Sequence, residues 1–216
     1  MFAKDGYTII AVTVVLSSIL VAIGYVWSSK WSWICYVLGG LLLVFVLNFF
    51  RDPERVTPAG NDLLIAPADG RIVQIKTLEK APYLDGPATQ VSIFLSAFDV
   101  HVNRIPLTGV IEHVKYTPGE YLLAWHEKSS ELNEQSQFGL RHASGTKILF
   151  KQITGYVARR IVYRLSEGQT VQAGERFGMM KFGSRMDIIV PNKVVLDVKI
   201  GQKTVAGETI LGRVTP

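Results

Sequence analysis

The 216-residue sequence predicts a mainly β fold, a β-sandwich, preceded by a two-helix transmembrane hairpin. Three observations carry that reading. Two long uncharged runs open the chain, short strand-like segments follow, and an eight-residue pattern recurs near the end.

No residue between Asp5 and Lys30 is charged, and none between Lys30 and Arg51. The first run, Tyr7 to Trp27, is rich in Ile, Val and Leu; the second, Trp31 to Phe50, contains Val37 to Leu47 without a polar side chain. Each is about 20 residues, the helix length that crosses a hydrocarbon core of roughly 30 Å. A linker as short as Ser28-Ser29-Lys30 makes the helices antiparallel. Trp27, Trp31 and Trp33 crowd the turn, where amphipathic rings favour the headgroup level. A cleaved signal peptide fits poorly, because the first run is too long and a second follows at once. Residues 1–50 are thus read as a membrane anchor and 51–216 as a soluble domain.

That domain carries 21 Lys and Arg against 17 Asp and Glu. Cations directly after the hairpin place it on the cytoplasmic face of the cell membrane, where a mildly basic domain meets anionic headgroups. The longest cationic run is the pair Arg159-Arg160, which argues against nucleic acid as a partner. Cys35 is the single cysteine and lies in the second apolar run, so neither an intrachain disulfide nor a cysteine metal cluster is expected. His101, His113, His126 and His142 form no i,i+4 pair, and no metal site is predicted.

Pro53 disfavours a helical Asp52 and ends the second helix. Strands are then expected at Arg71–Lys76, Gln90–Leu95, Gly109–Tyr116, Lys147–Ile153, Tyr156–Tyr163, Met186–Val190 and Val194–Ile200, on their alternation and bounding turn residues. Tyr121 to Gln137 is polar and too long for a hairpin turn, which predicts a functional loop or short helix. The recurring pattern is Gly168 to Glu175 against Gly201 to Glu208, which share Gly, Gln, Ala, Gly and Glu at equal offsets, 33 residues apart. Two such turn-plus-strand units around a hairpin predict a pseudo-symmetric core, as in biotinyl and lipoyl carrier domains.

Between the two units lies Met179-Met180-Lys181-Phe182-Gly183-Ser184-Arg185-Met186-Asp187. A Gly-Ser pair is usually only a turn. It also permits a specific reaction, in which the serine Oγ attacks the preceding carbonyl and turns the amide into an ester. Glycine leaves that attack unhindered and tolerates unusual backbone angles. Elimination and hydrolysis then leave a pyruvoyl group on the new N-terminus, given a base and oxyanion donors. Two residues are candidates for the base, His101 in Ser96–Arg104 and Asp69 in Pro67-Ala68-Asp69-Gly70, although residues of these types in a strand and a turn are more often structural. A different chemistry attaches to Met179-Met180-Lys181, which is similar to the modified turn of carrier domains and makes Lys181 a site for biotin or lipoate. That alternative leaves some 100 residues before the units without a purpose.

From Phe49-Phe50-Arg51-Asp52-Pro53 to beyond Pro191 the chain resembles the phosphatidylserine decarboxylase family, in its short, archaeal-type form. The resemblance rests on Pro67–Gly70, Phe94–Arg104, Ala124–Gln135, Thr154–Val162 and Phe182–Asp187, in that order. It implies a proenzyme cut at Gly183–Ser184 into residues 1–183 and 184–216, with Ser184 the pyruvoyl precursor and Asp69 and His101 the acid–base residues. It further implies a Schiff base with phosphatidylserine, loss of CO₂ and release of phosphatidylethanolamine, without metal or pyridoxal phosphate. Arg104, Arg159 and Arg160 are candidates to hold the substrate phosphate or carboxylate. The partners implied are phosphatidylserine in the membrane, the chain's own two cleavage products and, as an open alternative, a second copy of the chain. Two positions depart from the long-form pattern: Arg104 stands where a second histidine is found, and Phe182 and Arg185 flank the Gly-Ser pair in place of Leu and Thr. The base that activates Ser184 is left open by these departures.

Overall fold

A computed structural model describes residues 1–119, 132–155, 160–181 and 184–214. The chain divides into two compact units, Met1–Glu54 and Arg55–Pro216.

In the first unit a short 3-10 turn leads into helix α1 (Tyr7–Trp27), which is followed by α2 (Ser32–Phe49). Ser28 takes the left-handed conformation, φ 46°, that lets the chain reverse within four residues. The helices meet along small residues. Gly39 lets the Ser17 hydroxyl donate to its carbonyl at 3.0 Å, and a side chain at Gly39 would press on the Ser17 carbonyl. The ends are tied by the Ala3 amide donating to the Phe50 carbonyl at 2.9 Å and the Asp52 amide to Met1 at 2.8 Å. Only 17% and 22% of the two apolar windows are buried, so these are not core helices of a soluble fold. Both are long and apolar enough to cross a membrane, and their outward Leu, Val and Ile side chains are fitted to lipid. The unit is built for membrane association.

The second unit is mainly β. In chain order its described strands are β1 (Leu63–Ile65), β2 (Gly70–Leu78), β3 (Ala88–Leu95), β4 (Val102–Arg104), β5 (Gly109–Thr117), β6 (Gln135–Arg141) and β7 (Lys147–Thr154). They continue as β8 (Arg160–Tyr163), β9 (Thr170–Val171), β10 (Arg176–Lys181), β11 (Ser184–Pro191), β12 (Val195–Leu196), β13 (Lys203–Thr204) and β14 (Ile210–Arg213). All pairings are antiparallel. A curled eight-stranded sheet runs β13-β2-β3-β11-β7-β6-β5-β9, beside three-stranded sheets β4-β10-β8 and β1-β14-β12.

Alternation sorts the large sheet into two faces. Met186, Ile188 and Val190 on β11, Phe138 and Leu140 on β6, and Ile148 and Phe150 on β7 enter the main core. There Phe138, Phe150 and Phe177 meet pairwise, with ring centroids 5.2–5.5 Å apart. The opposite face carries Arg185, Asp187 and Ile189 of β11 and, on the neighbouring strands, Gln74, Gln90, Gln135, Gln137 and Lys151.

The two recurring units adopt matching conformations. Gly168 and Gly201 have φ of 84° and 87°, and Gly174 and Gly207 have 85° and 79°, angles that favour glycine. The Gly168 amide donates to Ile111 at 2.8 Å and the Gly201 amide to Ile72 at 2.7 Å. β9 then extends β5 at one edge of the sheet and β13 extends β2 at the other.

Two expectations need correction. Val194–Ile200 is not one strand: only Val195–Leu196 pairs, because the Asp197 amide goes to Leu211 and the chain turns at Lys199–Gln202 to place Gly201. Gln135–Gln137, expected in a polar loop, opens strand β6. Residues 120–131 of that expected loop lie outside the described residues, as do Tyr156–Arg159 of the expected strand Tyr156–Tyr163.

Candidate active site

Ser184 opens β11 in the middle of the large sheet, opposite Leu95 of β3 on one side and Thr154 of β7 on the other. It is fully buried, on the same face as Met186, and its Oγ has no hydrogen-bond partner among the described residues. A buried hydroxyl left unpaired costs about 1–3 kcal/mol, so its persistence calls for a purpose.

His101 reaches the same place by a different route. β3 ends at Leu95, beside Ser184, and residues 96–101 carry the chain across to β4, which pairs with β10. Asp99 shapes that crossing: its Oδ2 accepts from the Ser96 amide at 2.8 Å and the Ser96 hydroxyl at 2.6 Å. The His101 carbonyl accepts from the Met180 amide at 3.3 Å, which lays the crossing alongside the strand that leads to Ser184. His101 is fully buried, with Nδ1 2.9 Å from the Asp99 carbonyl. A carbonyl only accepts, so Nδ1 carries the proton and, in the neutral ring, Nε2 is the basic nitrogen. Phe98, in the same crossing, is 72% exposed.

Asp69 precedes β2, whose first residues pair with the end of β3. Gly70 makes the approach possible, because its φ of 155° and the Phe94 carbonyl, 2.2 Å from where a Cβ would sit, exclude a side chain. The Asp69 carboxylate is well held: Oδ2 pairs with Arg55 at 2.9 Å and Oδ1 accepts from the Ala206 amide at 2.7 Å. Asp69, His101 and Ser184 thus gather at one end of the sheet, from β2, the β3–β4 crossing and β11.

The cationic candidates are spread apart. Arg104 is buried and donates to the Gly174 carbonyl at 2.9 Å, with its Cδ packed over Gly207, so it braces both recurring turns. Arg160 is exposed at the head of β8, opposite Lys181 at the end of β10. Arg159 and Gly183 lie outside the described residues. Arg185 turns away from Ser184 to the other face, where Nε meets Asp187 Oδ1 at 2.7 Å and Nη2 meets Gln74 Oε1 at 2.8 Å and Ser92 Oγ at 2.6 Å.

Sequence reasoning missed a buried amide pair. Gln152 Nε2 donates to Asn103 Oδ1 at 2.9 Å, while Asn103 Nδ2 and Gln152 Oε1 are buried with no partner among the described residues. Gln152 pairs in register with Met186, two residues from Ser184 and on its face. The signal was the alternation Ile148, Phe150, Gln152, Thr154, in which a core-facing row turns polar as it nears Ser184.

A sequence model described as phosphatidylserine decarboxylase matches residues 42–212. The chain belongs to the phosphatidylserine decarboxylase family. A phosphatidylserine decarboxylase proenzyme of Salinibacter ruber is 57% identical over 197 residues, covering 88% of this chain and 86% of its own. Proenzymes of the same name from Chlorobium phaeobacteroides and Magnetococcus marinus are 44% and 41% identical, covering 96% and 99% of this chain and 97% and 95% of theirs. Family membership makes the chain a decarboxylase, a lyase of phospholipid biosynthesis. The carrier reading, with Lys181 as the modified residue, falls with that assignment.

Proposed function

We propose that this chain is made as an uncut proenzyme, severs its own Gly183–Ser184 bond, and then decarboxylates phosphatidylserine to phosphatidylethanolamine at the new N-terminus. The observation that carries the proposal is the fully buried Ser184 Oγ at the head of a central strand, without a hydrogen-bond partner among the described residues. In the first stage Oγ attacks the Gly183 carbonyl carbon and the acyl group moves from nitrogen to oxygen. Elimination releases Gly183 as a carboxylate and leaves dehydroalanine, whose hydrolysis expels ammonia and generates a pyruvoyl group.

The residues present fit such a group, since Ser184 is fixed between two strands and its hydroxyl makes no hydrogen bond among the described residues. A pyruvoyl group supplies a carbonyl that condenses with the substrate amine and accepts the electron pair left by CO₂. The chain supplies the proton and the charges. His101, basic at Nε2, takes a proton from the substrate ammonium as the amine is freed to react and returns that proton to the substrate Cα once CO₂ has left, its ring fixed through Nδ1 by the Asp99 carbonyl. Asp69, in its ion pair with Arg55, adds acid–base capacity at the same end of the sheet. Arg160, exposed beside Lys181, meets the phosphate or carboxylate of the headgroup, with Arg159 next in sequence.

The apolar hairpin keeps the domain at the cell membrane, on the cytoplasmic face, where its substrate resides. Denaturing intact-mass measurement of the purified chain tests the first stage. Two species divided at Gly183, the smaller with a blocked N-terminus, are expected, and Ser184→Ala should give one uncut, inactive chain. An active Ser184→Ala protein would end the proposal.

A further inference from the structure

We propose that Asn103 is a further catalytic residue of self-cleavage: its side-chain N–H donates to the oxyanion that forms on the Gly183 carbonyl under attack by Ser184. The inference rests on the proposed self-cleavage and concerns the uncut chain. It starts from two amides that meet inside the fold. Asn103 on β4 and Gln152 on β7 are both fully buried and link the small sheet to the large one. Gln152 Nε2 donates to the Val162 carbonyl at 3.3 Å as well as to Asn103 Oδ1 at 2.9 Å. A backbone carbonyl only accepts, so the atom turned towards it is nitrogen, and that fixes both amides. Asn103 therefore accepts through Oδ1, and its Nδ2 has no partner among the described residues. The fold makes room for this arrangement at Gly178, which pairs with both Asn103 and Tyr163. A Cβ there would stand 3.0 Å from Gln152 Nε2 and 2.3 Å from the Val162 carbonyl oxygen. A buried N–H without a partner is unfavourable for folding, yet the surroundings hold this one open.

Position assigns the donor to Ser184. Gln152 is opposite Met186 and so diagonal to Ser184 on the same sheet face. Diagonal neighbours are about 7–8 Å apart, within reach of long side chains. Asn103 lies one hydrogen bond beyond Gln152. It also follows His101 by two residues, the spacing at which side chains of an extended chain share a side. The nearer hydroxyl is committed elsewhere: Thr154, directly opposite Ser184, donates from Oγ1 to the Glu134 carbonyl at 3.1 Å. Gln152 Oε1 is also buried without a partner among the described residues, but an acceptor repels negative charge.

When Oγ bonds to the Gly183 carbonyl carbon, its proton passes to a base and the carbonyl π pair moves onto oxygen. An N–H aimed at that oxygen stabilises the charge as it appears and has little to stabilise beforehand. The pair returns to carbon as the C–N bond breaks, the Ser184 nitrogen takes the proton, and the ester remains. A substrate carboxylate is a poorer match for the same donor. Its charge is greatest before reaction and drains away as CO₂ forms, so a bond to it favours the reactant.

The test follows the full chain, made by cell-free synthesis into nonionic-detergent micelles, by intact mass against time. Asn103→Ala and the shape-keeping Asn103→Leu should slow the cut about 10²- to 10³-fold while the uncut chain still melts cooperatively. Gln152→Ala, which leaves Asn103 in place but unheld, should slow it less. Hydroxylamine identifies the step affected. It opens an ester at Gly183, giving a hydroxamate on residues 1–183 and a free serine amine on residues 184–216. In the Asn103 variants it should not restore cutting, because the ester itself forms slowly. Rapid cutting of those variants by hydroxylamine would place their defect at elimination and overturn the assignment, as would cutting at the parental rate without it. Should neither Asn103 variant melt cooperatively, Gln152→Ala decides, and its cutting at the parental rate overturns the proposal. A parent chain that stays whole ends the self-cleavage reading itself, whereas a cut parent with unaffected variants ends only the role of Asn103.

Discussion

An unpaired hydroxyl in a packed interior is unfavourable for stability, which makes Ser184 testable without any assay of activity. Ser184→Ala removes a buried polar atom that has no partner among the described residues. It should fold and melt at or above the parent proenzyme, by up to about 1–3 kcal/mol, whereas a serine with a structural bond would lose stability. His101 belongs to the same scale. In His101→Ala, kcat per cleaved chain should fall about 10²- to 10⁴-fold, read as CO₂ release from phosphatidylserine micelles. A variant that stays whole by mass would instead assign His101 to self-cleavage. Away from this site, the Glu112 carboxylate is held below the usual carboxylate range, first by its hydrogen bond from Arg141 and then by that from Tyr83. A depressed carboxylate stabilises the fold above its unfolded pKa, and that contribution is lost as pH falls through its folded pKa. Melting temperatures of the parent and Glu112→Gln should therefore differ at neutral pH and converge in acid. Tyr83 is pushed upward by burial and then by Glu112, so its contribution persists until pH rises above the ordinary tyrosine range.

At the scale of elements, the site depends on how closely β2 approaches β3. Gly70→Ala places a methyl group against the Phe94 carbonyl at a backbone angle that favours glycine. It should cost about 2–4 kcal/mol and lower the denaturant midpoint of the proenzyme. Much of this architecture was legible beforehand. The hairpin was plain from absence of charge, and the paired turns from five shared residues whose glycines the structure places at nearly equal φ. β6 was not legible, because Gln135, Gln137 and Gly139 occupy the covered polar face and leave only Phe138 and Leu140 as large apolar residues pointing inward. Val194–Ile200 misled in the opposite direction, since apolar residues at alternate positions also suit a turn that packs on β14. The local motifs around Asp69, His101 and Ser184 could be read, but their convergence at one end of the sheet could not. It arises from the pairing of β2, β3 and β11, which lie far apart in the chain.

At the scale of the molecule, the proposed cut falls before a strand rather than in a peripheral loop. β11 pairs with β3 from Ser184 to Pro191 and with β7 from Ser184 to Ile189, and β14, also after the cut, pairs with β1. Residues 184–216 should therefore co-elute with residues 1–183 in mild detergent and separate only in denaturant, as size-exclusion chromatography followed by mass measurement would show. The same placement bears on the lifetime of the enzyme. A dissociable cofactor has an affinity, can be diluted away, and can be replaced when it is damaged. The group proposed to form from Ser184, the first residue of a central strand, would have none of these properties: each molecule would receive it once, and no pool would exist from which to renew it. Inactivation of that one group would be permanent for the molecule that carries it, and the cell could restore activity only by translating another chain.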